Sequence, residues 1–416
     1  MPSLGRFHVV NLGCKVNRAE SDTIAATLMA AGAERTELSD ADVVVVNTCT
    51  VTAEADAKTR KAVRRAVRAN PRTVIVTGCL AALDPEGLTA LGDNVIVEPS
   101  KPKAAELALE ACQVDGPFDA PDTIGIRAGE GFKARMDLKI QDGCDNRCTY
   151  CIVWKARGAA TSLPWRAVVE QVAHASSHGV REVVLTGINL GAYDDGGVRL
   201  PELMARVLDE TDVGRIRVSS IEPPHVDGDL AAVLAAHPGR LCAHFHIPLQ
   251  SGCDRTLAAM GRTYDTAAFA RGVGELRAAC PSVAITTDII VGFPGETDED
   301  HALSLAFCKQ MAFTRMHVFR YSRRPGTVAD AMESQVADEV KAMRARELRE
   351  LAAEMAEADA RNRIGSEELV LATTPFGGVG DSYHEVRTEV ELQVGELALL
   401  RYVSVDHAGR LAAEPV

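Results

Sequence analysis

The stretch Gln141-Asp-Gly-Cys144-Asp-Asn-Arg-Cys148-Thr-Tyr-Cys151 holds three cysteines in the spacing C-x-x-x-C-x-x-C. Iron–sulfur clusters are usually bound by four cysteine thiolates. A compact set of three therefore predicts a four-iron, four-sulfur cluster whose fourth iron stays open for a ligand from outside the protein. A structural zinc site is the alternative, but such sites usually show two C-x-x-C pairs or a histidine complement.

Strand patterns separated by helical patterns surround this loop between residues 131 and 330. They are Met136–Ile140, Val183–Thr186, Arg215–Ser219, Ala243–Ile247, Ala284–Ile290 and Met316–Tyr321. Six βα units predict an open, partial (β/α)6 barrel of the α/β class rather than the closed eight-stranded form. The first strand leads into the cysteine loop, so we expect the loop at the C-terminal mouth, where barrel active sites lie.

The N-terminal region, residues 1–112, also alternates strand and helix patterns and predicts an open parallel sheet with crossover helices. The strand patterns are Phe7–Leu12, Val43–Val46 and Val74–Thr77, and the helical patterns are Glu20–Ala31, Ala53–Arg68 and Asp84–Leu91. Cys14, Cys49 and Cys79 follow the three strands closely. Ligands of such sheets bind beyond the carboxyl ends of the strands. We therefore expect the three thiols to converge at one edge and to bind a second cluster.

Three further segments complete the chain. Residues 113–130 are rich in Gly, Pro and Asp and predict a linker. Residues 331–365 are dominated by a helical pattern of mixed charge, which predicts a solvated connecting helix. Residues 366–416 show short β patterns that predict a small β-barrel, with turns at Gly377–Gly380 and Gly395. Its strand patterns are Glu368–Thr373, Glu385–Leu392 and Leu397–Val405.

Composition limits the class of protein. The chain has 416 residues, of which 46% are hydrophobic, and a formal net charge of −13. Such a charge does not favour non-specific polyanion binding, so a nucleic-acid partner would need local basic patches. No apolar run approaches the ~20 residues that cross a bilayer. The N-terminus predicts no signal peptide. Eleven cysteines without a leader favour reduced thiols and metal ligation, and hence a cytoplasmic location.

These motifs together resemble the methylthiotransferase family of radical S-adenosylmethionine (SAM) enzymes, over nearly the whole chain. The matching segments of the N-terminal region are Asn11–Asn17, Asn47–Thr52 and Thr77–Cys79. Those of the barrel are Lys139–Cys151, Leu185–Asn189, Ser219–Pro223, His246–Gly252, Thr287–Thr297 and Tyr321–Thr327. The C-terminal module is similar in position and length to the family's TRAM domain. Within the family, the chain is most similar to the branch that acts on threonylcarbamoyl-adenosine in tRNA.

The resemblance implies two [4Fe-4S] clusters and SAM as cofactors. Cys144, Cys148 and Cys151 would hold the cluster that cleaves SAM to a 5′-deoxyadenosyl radical. Cys14, Cys49 and Cys79 would hold an auxiliary cluster that supplies the methylthio group to an unactivated carbon of the substrate. All six cysteines are thus both metal ligands and catalytic residues. Candidate SAM contacts are Tyr150, Gly187, Asn189, Ser219, Glu222, Gln250 and Asp288, although such polar groups also serve loop backbones.

The chain departs from the family pattern in ways that bear on the substrate. Trp154 stands where the family usually has Pro, Thr161–Leu163 replaces Arg-Ser-Arg, and a basic run is thinned to Met260–Thr263; Arg320 replaces a Pro. Fewer arginines and an acidic C-terminal module, with nine acidic residues and three arginines, weaken the expected grip on phosphates. These changes would suit a side-chain carbon, such as that of Asp, in a protein or ribosomally synthesised peptide. The basic segment Lys58–Arg65 could instead hold tRNA, which we prefer.

Two further functions are compatible with the cysteines. One is a scaffold or electron carrier that binds two clusters, and the polar residues at the barrel mouth argue against it. The other is a radical methylase that transfers no sulfur. For the preferred function we expect a macromolecular substrate, tRNA or polypeptide, and a low-potential electron donor. We also expect a monomer that does not associate with membranes.

Overall fold

The computed structural model of the protein describes residues 5–114, 134–406 and 409–416. Most of the predicted linker, residues 115–130, lies outside the described residues. The chain divides into two compact units. The first contains residues up to 114 with Asp142–Asn146 and Cys151–Leu163, and the second contains residues 134–141, Arg147–Tyr150 and Pro164–Val416. The cysteine loop is therefore divided between the units, and the domain boundaries stay predictions.

The first unit is built on a parallel sheet with strand order β2-β1-β3-β4-β5. Its strands are β1 (Arg6–Asn11), β2 (Glu34–Arg35), β3 (Val43–Thr48), β4 (Thr73–Gly78) and β5 (Val95–Val97). Its helices are α1 (Lys15–Ala30), α2 (Ala53–Arg68), α3 (Cys79–Leu83), α4 (Pro85–Thr89), α5 (Lys101–Cys112) and α6 (Val153–Arg157). The predicted open parallel sheet is confirmed.

The core of the first unit lies on both faces of this sheet. Val43 and Val45 pack with α1 and α5 residues such as Leu28, whereas Val44 and Val46 pack with α2 residues such as Val63. A strand that is buried on both faces needs a continuous apolar run, since it has no solvent-facing side. The unbroken Val43–Val46 run therefore specifies the central position of β3.

The central part of the second unit is a partial barrel of six parallel strands. The strands are β6 (Arg135–Lys139), β9 (Glu182–Thr186), β12 (Arg215–Val218), β13 (His244–His246), β14 (Ala284–Val291) and β15 (Arg315–Arg320). They form two parallel sheets, β12-β9-β6 and β13-β14-β15, and isolated bridges such as Ser220↔His246 join β12 to β13. The predicted (β/α)6 architecture is confirmed.

Helices and short strands connect the barrel strands. The helices are α7 (Trp165–Ser177), α8 (Leu200–Glu210), α9 (Gly228–Ala236), α10 (Asp254–Ala259), α11 (Thr266–Ala279) and α12 (Asp298–Met311). The remaining short strands are β7 (Gln141–Asp142), β8 (Thr161–Ser162), β10 (Asp194–Asp195) and β11 (Val198–Arg199). The long predicted helix is α13 (Asp338–Asn362). In the part of the chain that the structure describes, no helix combines the length and the apolar character that a membrane crossing requires.

The C-terminal module is a closed barrel with strand order β16-β17-β18-β20-β19. Its strands are β16 (Glu367–Thr374), β17 (Gly377–Gly380), β18 (Glu385–Arg387), β19 (Leu397–Val405) and β20 (Leu411–Pro415). The predicted barrel is confirmed, but the predicted turn at Gly377–Gly380 is wrong, because this segment is a strand. A Cβ on Gly378 would lie 2.1 Å from the Leu371 carbonyl oxygen, so glycine here permits close strand contact.

A buried charged cluster attaches this small barrel to the central strands of the same unit. Arg215 and Arg217 on β12 both bind the carboxylate of Glu182 on β9, and all three side chains are fully buried. Arg215 donates hydrogen bonds to the Leu369 and Val379 carbonyls, at 2.7 and 3.0 Å. Burial favours the neutral form of Glu182, but the arginines outweigh it and lower the pKa of this carboxyl to about 2.

Candidate iron–sulfur and SAM site

The three N-terminal cysteines lie at the carboxyl edge of the first unit's sheet. Cys14 precedes α1, Cys49 follows β3, and Cys79 begins α3 directly after β4. The strands that lead to them are parallel neighbours in register, with Asn11 opposite Asn47 and Thr48 opposite Gly78. Each cysteine therefore leaves the sheet at nearly the same level along its strand, as the sequence predicts.

The thiols of these residues are close to one another. A Cβ on Gly13, whose φ is +108°, would lie 2.7 Å from Cys49 Cβ and 2.9 Å from its sulfur. Glycine is thus required where the backbone before Cys14 passes the side chain of Cys49. Burial raises the pKa of Cys49, and charges on Cys14 and Cys79 raise it further. The structure brings the trio together, whereas its role as a cluster ligand set stays a prediction.

Arg157 links two of these cysteines within the first unit. Its Nε donates a hydrogen bond to Cys79 Sγ at 3.2 Å, and its Nη2 donates one to Asn17 Oδ1 at 2.8 Å. The same Asn17 oxygen accepts a hydrogen bond from the Cys14 thiol at 3.6 Å. The Arg157 side chain is only 1% exposed, and its guanidinium forms ion pairs with Glu20 at 2.7 Å and Asp142 at 3.0 Å. No pattern in the sequence indicates this role for Arg157.

The second trio lies on an irregular loop, and two of its three sulfurs have N–H neighbours. The Val153 amide donates to Cys151 Sγ at 3.4 Å, and the Cys144 amide donates to the Gly158 carbonyl at 3.1 Å. In the second unit, Arg262 Nη1 donates to Cys148 Sγ at 3.0 Å. The sequence shows Arg262 only as the remainder of a thinned basic run, so its contact with a cysteine was missed.

The donor chemistry of both trios fits iron–sulfur clusters. Each trio offers sulfur ligands alone, and N–H groups next to sulfur are a normal part of a cluster environment. Within residues 5–114, 134–406 and 409–416, no group of three or more His, Cys, Asp or Glu side chains is arranged around a position for a single metal ion.

Several predicted SAM contacts follow the barrel strands of the second unit. Gly187 follows β9, and a Cβ added to Gly187 would lie 2.8 Å from Gln141 Oε1. That oxygen accepts the Asn189 amide hydrogen at 2.8 Å. Ser219 follows β12, and its buried Oγ has no hydrogen-bond partner among the described residues. An unsatisfied buried hydroxyl at a strand end fits a polar ligand group at this mouth.

Gln250 follows β13, and it contacts Asp288 on the neighbouring strand β14. Gln250 has a φ of +68°, which is uncommon for a residue other than glycine. Its amide donates to the Asp288 carbonyl at 2.8 Å. The Asp288 carboxylate lies 3.3 Å from His246 Nε2. Strained backbone held by such contacts is common at ligand sites, so the geometry is compatible with the predicted roles.

Glu222 and Tyr150 are engaged with protein groups. Glu222 forms an ion pair with Arg262. The Tyr150 ring meets Phe293 edge-on, with ring centroids 6.4 Å apart. These contacts suit supporting roles at the mouth at least as well as direct contacts with SAM. For all seven residues, contact with SAM stays a prediction.

His246 lies in a segment that matches the family, but its pairing with His317 at the mouth is not evident from the sequence. His246 Nδ1 lies 3.0 Å from Thr286 Oγ1, and the His246 ring centroid lies 6.0 Å from that of His317. Burial lowers the pKa of His317, although Asp288 acts in the opposite direction. Register is the signal that could have found it, because His317 on β15 pairs with Asp288 on β14. Register between parallel strands is hard to obtain from one sequence.

Comparison with known proteins finds a family match for the N-terminal region and another for the central barrel. The sequence profile of the radical SAM superfamily matches residues 138–308, and that of the uncharacterized protein family UPF0004 matches residues 6–97. Among solved structures, the radical SAM methyltransferase TsrM from Kitasatospora setae superimposes with a TM-score of 0.59 at 16% identity. It covers 79% of this chain and 77% of its own, a similarity of fold alone.

Curated relatives extend over most of the chain. The threonylcarbamoyladenosine tRNA methylthiotransferase MtaB of Thermotoga maritima is 35% identical and covers 96% of this chain and 95% of its own. The MtaB of Bacillus subtilis is 38% identical, with coverages of 84% and 80%. A tRNA-2-methylthio-N(6)-dimethylallyladenosine synthase of Endomicrobium trichonymphae is 33% identical, with coverages of 81% for both chains.

Proposed function

Because this chain belongs to the radical SAM methylthiotransferase family, we propose that it inserts a methylthio group at an unactivated carbon of threonylcarbamoyladenosine in tRNA. The observation that carries this proposal is the convergence of Cys14, Cys49 and Cys79 in a protein that also has the Cys144–Cys151 loop. Two sets of three thiols provide for two clusters, each with an iron left for another ligand. That requirement is unusual for an electron carrier and natural for an enzyme that transfers sulfur.

The cofactors are SAM and two [4Fe-4S] clusters, which supply the radical and the methylthio group when they are bound. Cys144, Cys148 and Cys151 would hold one cluster, and the first trio would hold the other. The chain's own contribution is to bind, orient and shield these groups. Cys49 and Cys79, for example, are only 7% and 4% exposed, so water has little access to their sulfurs.

The acidic C-terminal barrel does not support the polypeptide alternative. Several of its acidic side chains are engaged within the protein. Glu368 accepts hydrogen bonds from Ser382 and Tyr402, both at 2.8 Å, and Asp381 accepts the Ala243 amide hydrogen at 3.1 Å. Glu396 forms an ion pair with Arg181 at 2.9 Å. These contacts reduce the acidic surface that a basic peptide could meet.

A basic surface that suits tRNA is present on α2. Its exposed cations, which we call the α2 basic face, are Lys58, Lys61, Arg64, Arg65 and Arg68. The opposite side of the helix buries Thr59, Val63 and Ala66 against the sheet. Packing therefore fixes the helix and leaves the cations in solvent. Local basic patches supply most of the affinity of nucleic-acid binding, even on a protein of negative net charge.

The substrate is tested directly by giving the anaerobically purified enzyme, with SAM and reductant, either peptides or tRNA that carries threonylcarbamoyladenosine but no methylthio group. We expect mass spectrometry to find a methylthio group on the tRNA nucleoside and none on the peptides. The opposite distribution would favour the polypeptide alternative. Release of 5′-deoxyadenosine without sulfur transfer to either substrate would contradict the proposal and favour a different radical reaction.

The α2 basic face gives a second prediction. Changing Arg64→Gln and Arg65→Gln together should weaken tRNA binding and lower the slope of log K against log salt by about 2, or about 1 for each lost phosphate contact. Binding isotherms over a series of salt concentrations measure this slope. The matched control is Arg346→Gln with Arg361→Gln, two exposed residues of α13. An equal loss in both double variants would mean that net charge, rather than this face, holds the tRNA.

We further propose that the chain works as a cytoplasmic monomer with a low-potential electron donor. Reductive cleavage of SAM needs an external electron, and a chain of eleven cysteines that includes two sets of predicted cluster ligands is compatible with a reducing compartment. Light scattering of the purified protein tests the oligomeric state, and a dimer would overturn that part of the proposal.

A further inference from the structure

Two buried arginines donate hydrogen bonds to predicted cluster ligands in the same way. Arg157 Nε lies 3.2 Å from Cys79 Sγ in the first unit, and Arg262 Nη1 lies 3.0 Å from Cys148 Sγ in the second. Their side chains are 1% and 3% exposed. Packing alone does not explain these contacts, because burying a charged guanidinium costs free energy unless it is paired and hydrogen-bonded. Each trio thus has a cationic donor on one of its sulfurs.

The surroundings of each guanidinium fix its direction. Arg157 is held by Glu20 at 2.7 Å and by Asn17 at 2.8 Å, which leaves Nε directed at the sulfur. Arg262 is paired with Glu222, and its Nε donates to the Tyr264 hydroxyl at 3.1 Å. A planar guanidinium with several fixed contacts loses little further freedom when it also donates to sulfur. The donors are therefore preorganised.

Fixed cations next to a cluster change how easily it is reduced. Reduction adds an electron, so a positive charge near the cluster stabilises the reduced form and raises the reduction potential. Hydrogen bonds to the cluster sulfurs and the local net charge are both known determinants of this potential. The effect is strong in a buried site, where the effective dielectric constant is low. Arginine also keeps its charge at any ordinary pH.

We propose that Arg157 and Arg262 are positioning residues that set the reduction potentials of the two clusters independently. Arg157 acts on the auxiliary cluster through Cys79, and Arg262 acts on the SAM-binding cluster through Cys148. The inference rests on the proposed function in one respect, because it takes the two trios as cluster ligands. It adds that the chain tunes each cluster with its own cation, so that the two can differ in potential.

The glutamate beside Arg157 allows a test with opposite signs. Arg157→Gln removes a positive charge and should shift the auxiliary midpoint to lower potential. Glu20→Gln removes a negative charge while its amide oxygen can still accept from Arg157, so it should shift the same midpoint to higher potential. If Arg157 and Glu20 only stabilised the fold, their substitutions would not shift the auxiliary midpoint in opposite directions. Arg262→Gln should lower only the midpoint of the other cluster.

The measurement is a redox titration followed by electron paramagnetic resonance on the anaerobically reconstituted full chain. Each substitution is placed in two backgrounds, each with one of the two trios changed to alanine, so that its effect on each cluster is observed separately. Iron analysis reports how much cluster each variant retains. Arg18→Gln is the matched control, because Arg18 lies on the same helix as Glu20, α1, and its side chain is 60% exposed. It should leave the auxiliary midpoint unchanged.

Unchanged midpoints at full iron content, or shifts of the same sign in Arg157→Gln and Glu20→Gln, would overturn the inference. If Arg157→Gln fails to retain its cluster, Glu20→Gln alone decides, because only the electrostatic role predicts a rise. The proposed function fails differently. A wild-type chain with two titrating clusters that yields no methylthio product would refute that function and leave the arginine assignment intact.

Discussion

Replacing Cys14, Cys49 and Cys79 together with alanine is expected to abolish methylthio insertion while release of 5′-deoxyadenosine continues. The three thiols converge at one sheet edge, so losing all of them should remove the auxiliary cluster and the sulfur it supplies. In the proposed assignment, cleavage of SAM depends on the other trio, Cys144, Cys148 and Cys151, which this variant retains. The two products thus report separately on the two sets of cysteines.

Mass spectrometry of the tRNA measures the methylthio product, and chromatography measures 5′-deoxyadenosine from the same reaction. Iron content should fall to about half of the wild-type value, because one of two four-iron clusters is lost. Cys112→Ala is the matched control, since Cys112 is a buried cysteine of the same unit. Burial raises the pKa of its thiol to about 11. Product from the triple variant would refute the auxiliary role of these residues.

Changing Glu182→Gln is expected to destabilise the second unit by about 3–5 kcal/mol, the usual cost of removing one partner from a buried ion pair. The carboxylate of Glu182 is fully buried and forms ion pairs with three arginines, Arg135, Arg215 and Arg217. The neutral amide of glutamine cannot compensate their charges. The arginines also bind carbonyls of the C-terminal barrel, such as that of Leu369. We therefore expect this barrel to lose its attachment first.

Urea unfolding measures this free energy, and the matched control is Glu396→Gln, whose partner Arg181 is 41% exposed. The control should cost only about 0–1 kcal/mol.

The dependence on pH gives an independent check. Because the pKa of Glu182 is about 2 in the folded state and its ordinary value is higher, its stabilisation is lost as pH falls toward 2. Glu182→Gln should lack this part of the acid sensitivity, and an equal acid loss in both proteins would contradict the assignment.

Much of the fold could be predicted because local patterns agree with the final packing. The Val43–Val46 run is apolar throughout and becomes a central strand, and Leu397–Val405 is a strand with the predicted bounds. Gly377–Gly380 shows where local patterns fail. Glycine usually signals a turn, but here the curvature of a five-stranded barrel brings neighbouring backbones so close that side chains would collide.

The sequence by itself determined the positions of the two trios of cysteines, the main strands that lead to them, and the family. Spacing along a loop and the position after a strand are local properties, and parallel strands necessarily end at a common edge. Only the tertiary structure decided which cations meet the sulfurs. Arg157 reaches Cys79 across 78 positions of sequence, and Arg262 reaches Cys148 across 114. Such contacts depend on how packed elements direct long side chains, and no local pattern in one sequence encodes that direction.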